Sequence, residues 1–72
     1  MTADEWIDRY AAALGVAPPT AGERDALLAL AAEAAHASQR VAAPIACWLA
    51  ARAGLAPDAA LGAASRLASE SS

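Results

Sequence analysis

The sequence holds no lysine and no phenylalanine, one cysteine, one histidine and only three aromatic residues, Trp6, Tyr10 and Trp48. Each shortage excludes something. A single cysteine, Cys47, forms no internal disulfide and supplies no metal cluster by itself. The cations are all arginines, at positions 9, 24, 40, 52 and 66, scattered along a chain of net charge −3. Binding nucleic acid takes a concentrated basic footprint that displaces counterions from phosphates, so nucleic acid is not an expected partner. The longest alanine-rich run, residues 26 to 35, is interrupted by Glu33 and is too short to cross a bilayer, so no membrane association is expected. No charged opening segment leads into an apolar one, so no secretory signal is expected and the chain reads as cytoplasmic.

What the chain has is alanine, 25 of its 72 residues. Large apolar side chains are few, which makes for a thin core in a chain near the lower size limit for a single domain. Alanine is the best helix former, and its small side chain lets helix axes approach closely. An all-α fold follows: one domain over residues 1–72, a compact bundle of four helices at about 3–14, 21–39, 44–53 and 57–68, with a tail frayed from about residue 69.

The local signals behind those boundaries are specific. Thr2 with Glu5, and Thr20 with Glu23, have capping-box spacing, in which a hydroxyl and a carboxylate satisfy free amides at a helix start. Gly15 and Gly54 fit the left-handed position that closes a helix, and Pro18–Pro19 stiffens the connection between the first two helices. Pro44 and Pro57 suit the first residue of the third and fourth helices. Trp6, Ile7, Tyr10, Ala13 and Leu14 gather on one face of the first helix. Leu27, Leu30, Ala31, Ala34 and Ser38 do so on the second, with Leu28 and Ala35 widening that stripe. Ile45, Trp48, Leu49 and Arg52 recur at helical spacing on the third, and Ala60, Leu61, Ala64, Leu67 and Ala68 on the fourth.

Four groupings could carry chemistry. Glu33, His36 and Arg40 fall at i, i+3 and i+7, on one side of the second helix if it runs to residue 39, and Pro44 follows one turn later. A His beside an Arg can recognise a phosphate or carboxylate, the Arg as a planar fork and the His as a pH-sensitive donor. The competing reading is a histidine that caps the helix end between flanking charges. Glu33-x-x-His36 is also the unit used twice in four-helix carboxylate metal sites, but one copy is too few, and Glu5 and Glu23 are already explained by capping; no metal site and no cofactor are expected. Cys47 with His36 could support a nucleophile, yet nothing marks an oxyanion hole or an orienting third group, and a lone helical cysteine is more often a small buried hydrophobe. Trp6 and Trp48 are first read as core filler in an alanine-rich bundle and, together with Tyr10, as apolar anchors of an interface if they prove exposed. A small acidic helical domain also suggests a carrier protein, but the Asp-Ser pair that accepts a prosthetic arm is missing.

The stretch LLALAAEAAHASQRVAAPIACWLAARAG, residues 27–54, resembles a small helical domain of unknown function from high-GC bacteria. That domain is found alone or fused after a molybdenum cofactor guanylyltransferase of the molybdopterin-guanine dinucleotide type. The resemblance rests on Ala35, His36, Arg40, Ala42, Ala43 and Pro44 and on the acidic Trp-containing opening DEWIDRYAAALGV, with Cys47 and Trp48 departing from many relatives. It implies an association with molybdenum cofactor maturation and a guanylyltransferase as protein partner. It does not imply a reaction, and the Gly-rich nucleotide signature of the transferase is missing from this chain. The expectation is therefore a non-enzymatic accessory or protein-interaction domain that also self-associates, with His36, Arg40, Glu33 and Pro44 as recognition residues. The alternative is a small anion or phosphorylated-cofactor binding module using His36 and Arg40, whose binding would weaken with salt.

Overall fold

The computed structural model describes residues 1–71, and all of its regular structure is helical: α1 (Ala3–Leu14), α2 (Ala21–Ala37), α3 (Ala42–Arg52) and α4 (Pro57–Ser71). The expected four-helix, all-α architecture is what the chain adopts. Its radius of gyration is 12.8 Å, with extents of 39 × 23 × 19 Å.

Both capping boxes close. The Thr2 hydroxyl accepts from the Glu5 amide at 3.1 Å while the Glu5 carboxylate accepts from the Thr2 amide at 3.3 Å. At α2 the same exchange links Thr20 and Glu23 at 3.1 and 2.8 Å. Replacing Thr20 by Ala removes the shorter-bonded of the two boxes and is expected to cost about 0.5–2 kcal/mol. A thermal melt followed by circular dichroism reads this as a fall of roughly 2–15 °C for a chain of this size.

Gly15 and Gly54 close α1 and α3 in the left-handed conformation, with φ of 75° and 74°. Each forms a Schellman arrangement: the amides of Gly15 and Val16 donate to Ala12 and Ala11, and those of Gly54 and Leu55 to Ala51 and Ala50.

α2 has no such glycine. It ends at Ala37, earlier than the expected residue 39, because the Ser38 hydroxyl donates to the Ala34 carbonyl at 2.9 Å and Ser38 leaves helical geometry at φ −142° and ψ −95°. Gln39 and Arg40 then accept from the amides of Ala42 and Ala43, which starts α3 two residues before Pro44. Pro44 stands inside the first turn, where a missing amide is still not needed, and so it marks the turn and not its first residue. α4 begins at Pro57 as expected and continues to Ser71. The tail expected to fray from about residue 69 falls in this last turn, and Ser72 lies outside the described residues.

α2 is the centre of the packing. α3 and α4 both lie against it, neither packs extensively on the other, and α1 packs least of all. α1 is moored at the start of α2 by the ion pair between Asp4 and Arg24, an exposed contact that adds little stability. Among the described residues those buried are Ala11, Leu30 and Ala60, of which Leu30 alone has a large side chain. Leu27, Ala31, Ala34 and Ala35 are half-buried along α2, as the stripe on that helix implies.

Of the apolar face expected on α1 only Ile7 is half-buried, and the face expected on α3 is exposed. Trp6 and Trp48, first read as core filler, are 54% and 58% exposed, and Tyr10, Leu14, Leu28, Ile45, Leu49 and Leu67 are exposed as well. An amphipathic stripe shows that one face is apolar, and here no neighbouring helix covers those faces.

Candidate functional site

The region around the α2–α3 turn separates the residues that helical spacing had grouped. Glu33 is half-buried and His36 exposed in the last turns of α2, but Arg40 lies beyond the helix end, in the turn, with its carbonyl accepting from Ala43 at 3.2 Å. Arg40 therefore does not continue the α2 face that carries Glu33 and His36. Among the described residues no hydrogen bond or ion pair joins Glu33, His36 and Arg40. Pro44 is exposed one turn into α3. Both His36 and Arg40 are left facing solvent beside the start of α3.

Cys47 points the other way. It is half-buried where α3 meets α2, with its thiol 4.0 Å from the Leu27 carbonyl. His36 lies about 13 Å further along the α2 axis, at 1.5 Å rise per residue, which removes the Cys–His pairing. Among the described residues no three His, Cys, Asp or Glu side chains gather into a metal-holding group, and no helix is long and apolar enough to cross a membrane.

The aromatic residues define the exposed apolar surface. Trp6 and Tyr10 stack one turn apart on the outer face of α1, with ring centroids 4.9 Å apart and an interplanar angle of 22°. Leu14 extends that ridge by another turn. On α3, Pro44, Trp48 and Arg52 follow one another at four-residue spacing on an exposed line. The Arg52 guanidinium carbon stands 5.0 Å from the Trp48 ring centroid, a cation–π contact that holds a half-exposed indole in place.

A second line, Val41 at the cap of α3 with Ile45 and Leu49 on the helix, borders a groove of about 530 Å³. The far wall is Leu67 of α4, and Ala34 and Ala37 of α2 form part of its lining. Ala46 and Leu49 also border a smaller hollow of about 270 Å³ reaching Leu30, Leu55 and Ala60, so one apolar trough runs between α3 and α4 over α2. Sequence reasoning missed this trough. Its signal was the recurrence of Val41, Ile45 and Leu49 every fourth residue, read together with a Leu67 assigned to the core.

Among the described residues the arrangement offers surfaces: two exposed polar side chains at and just beyond the end of α2, an indole braced by a guanidinium on α3, an aromatic ridge on α1 and an apolar trough. No curated protein and no solved structure matches the chain. A family model described as a domain of unknown function, DUF6457, matches residues 1–72, and the chain belongs to that family.

Proposed function

We propose that this chain is a non-enzymatic accessory domain of the cytoplasm that binds a protein partner in molybdenum cofactor maturation. The pathway and the partner, a molybdopterin-guanine dinucleotide type guanylyltransferase, come from the resemblance carried by His36, Arg40 and Ala42–Pro44. The single observation that favours a protein partner is the Pro44–Trp48–Arg52 line, where a large indole stands 58% exposed yet is braced by a guanidinium. Ordering a side chain at an interface costs entropy, and a side chain already held loses less of it on binding. Indole and guanidinium groups are also the side chains most enriched in interface hot spots. His36, in the last turn of α2, and Arg40, in the turn before α3, add exposed polar groups.

The test is light-scattering mass on a sizing column, with the domain alone and then mixed with the guanylyltransferase from the same source. A co-migrating complex is expected. Trp48→Ala should weaken it about 30-fold, the size of a 2 kcal/mol hot spot, without lowering the melting temperature. His36→Ala with Arg40→Ala should weaken it less, chiefly through slower association. Failure to co-migrate, or unchanged affinity in Trp48→Ala, overturns the reading; a collapse in melting temperature with unchanged binding would make His36 and Arg40 structural instead. The exposure of those two side chains also supports the anion-binding alternative. Salt-sensitive binding of inorganic phosphate to the free domain, lost in the double variant, would put that reading in place of the first.

A further inference from the structure

The α1 ridge and the α3–α4 trough are two apolar surfaces of one chain that do not meet each other. Trp6, Tyr10 and Leu14 lie at i, i+4 and i+8 on α1 and are all more than half exposed. Val41, Ile45 and Leu49 are spaced identically on the trough wall, so both lines extend about 12 Å at 1.5 Å per residue. The trough is walled by α3 and α4 with α2 beneath, which is the cradle for one more helix. Alanines at 34, 37, 42 and 46 keep its lining low enough for a helix axis to come close.

The chain's own α1 does not fill it. Asp4 holds α1 to Arg24 in the first turns of α2, whereas the larger part of the trough begins at Ala34, about 15 Å further along that helix. We propose that the occupant is α1 of a second copy of this chain, so that two copies related by a two-fold axis exchange ridge and trough. Two observations favour a second copy. Each chain carries both halves of the contact, which is what a closed, isologous dimer requires. Charge does not oppose the contact: neither the trough lining nor the Trp6–Tyr10–Leu14 line carries a charged side chain, so docking one on the other leaves no charge buried without a partner. Half-exposed aromatic and aliphatic side chains on both surfaces, counted twice, amount to on the order of 1,000 Å² of apolar area, the threshold of a specific interface. The same contact would add large side chains to a core in which, among the described residues, Leu30 is the one large side chain buried within one copy.

The inference rests on the reading of the domain as an interaction module, but it leaves the Trp48 line outside the trough, so the two can fail separately. Light-scattering mass across a concentration series should move from 7.2 kDa toward twice that value. Tyr10→Glu on the ridge and Ile45→Glu on the trough should each weaken dimerisation at least about a hundredfold, because each buries a carboxylate without a partner. Both sites are exposed within one copy, so helical circular dichroism should be retained. Leu28→Glu, on an exposed part of α2 that borders neither surface, should leave the dimer intact. A wild-type mass of one chain at every concentration overturns the inference, as does a dimer that withstands both Tyr10→Glu and Ile45→Glu or is lost in Leu28→Glu. Co-migration of monomeric Tyr10→Glu with the guanylyltransferase would show that the partner surface is separate, whatever the fate of the dimer.

Discussion

Replacing Leu30 by Ala is expected to lower the melting temperature by about 15–40 °C, or to prevent folding near physiological temperature. Leu30 is 3% exposed and is the one large side chain buried in the described structure. Its removal forfeits the transfer of three methyl or methine carbons and leaves a void, which together cost about 2–5 kcal/mol. The upper part of that range applies here. The surroundings are mainly alanines, Ala46, Ala50, Ala53, Ala60 and Ala63, whose single carbons have no rotamers with which to fill space. A chain of this length holds only about 4–11 kcal/mol in total, and each lost kcal/mol moves the midpoint by about 4–8 °C. Leu28→Ala, at a 60% exposed position on the same helix, should change stability by no more than about 0.5 kcal/mol. The comparison is made by thermal melts at one protein concentration, because self-association would itself raise the midpoint. Equal losses at Leu28 and Leu30 would mean that the buried side of α2 has been misplaced.

The contrast between those two leucines shows where the sequence stops being informative. Caps and terminators were legible because they are local. Thr2 with Glu5, Thr20 with Glu23, and the two left-handed glycines each settle a helix end through bonds within a few residues. The α2–α3 turn was less so, since Ser38 and Pro44 each allow more than one register of the boundary, and a two-residue shift took Arg40 off the helix that carries His36. Burial was the least legible property. α2 has alanine on several sides, so apolar count does not separate Leu28 from Leu30. On α1 the stripe is clear, but a stripe states only that something apolar should cover it. The indoles look like core in the sequence and stand at the surface in the fold for that reason. The trough was hidden further, because its walls come from two helices joined through residues 53–56 and its floor from a third.

Ala60→Leu tests the opposite face of the same packing. Ala60 is 4% exposed on α4 and borders the hollow that Leu30 also lines, so its methyl sits where α4 approaches α2. Three added carbons there have to push the helices apart or take a strained rotamer, at about 1–3 kcal/mol or more. A fall of roughly 5–20 °C in the melting temperature is expected. Ala59→Leu, one residue away and exposed, changes helix propensity by only a few tenths of a kcal/mol and should leave the midpoint nearly unmoved. The two core substitutions should also be coupled, because one empties the space that the other overfills. Leu30→Ala combined with Ala60→Leu is expected to be less destabilised than the sum of the single variants by about 0.5–3 kcal/mol, since the new leucine can enter the void left on α2. Simple additivity would show that the two side chains do not share one space, and the α2–α4 seam would then have to be held by its alanine contacts alone.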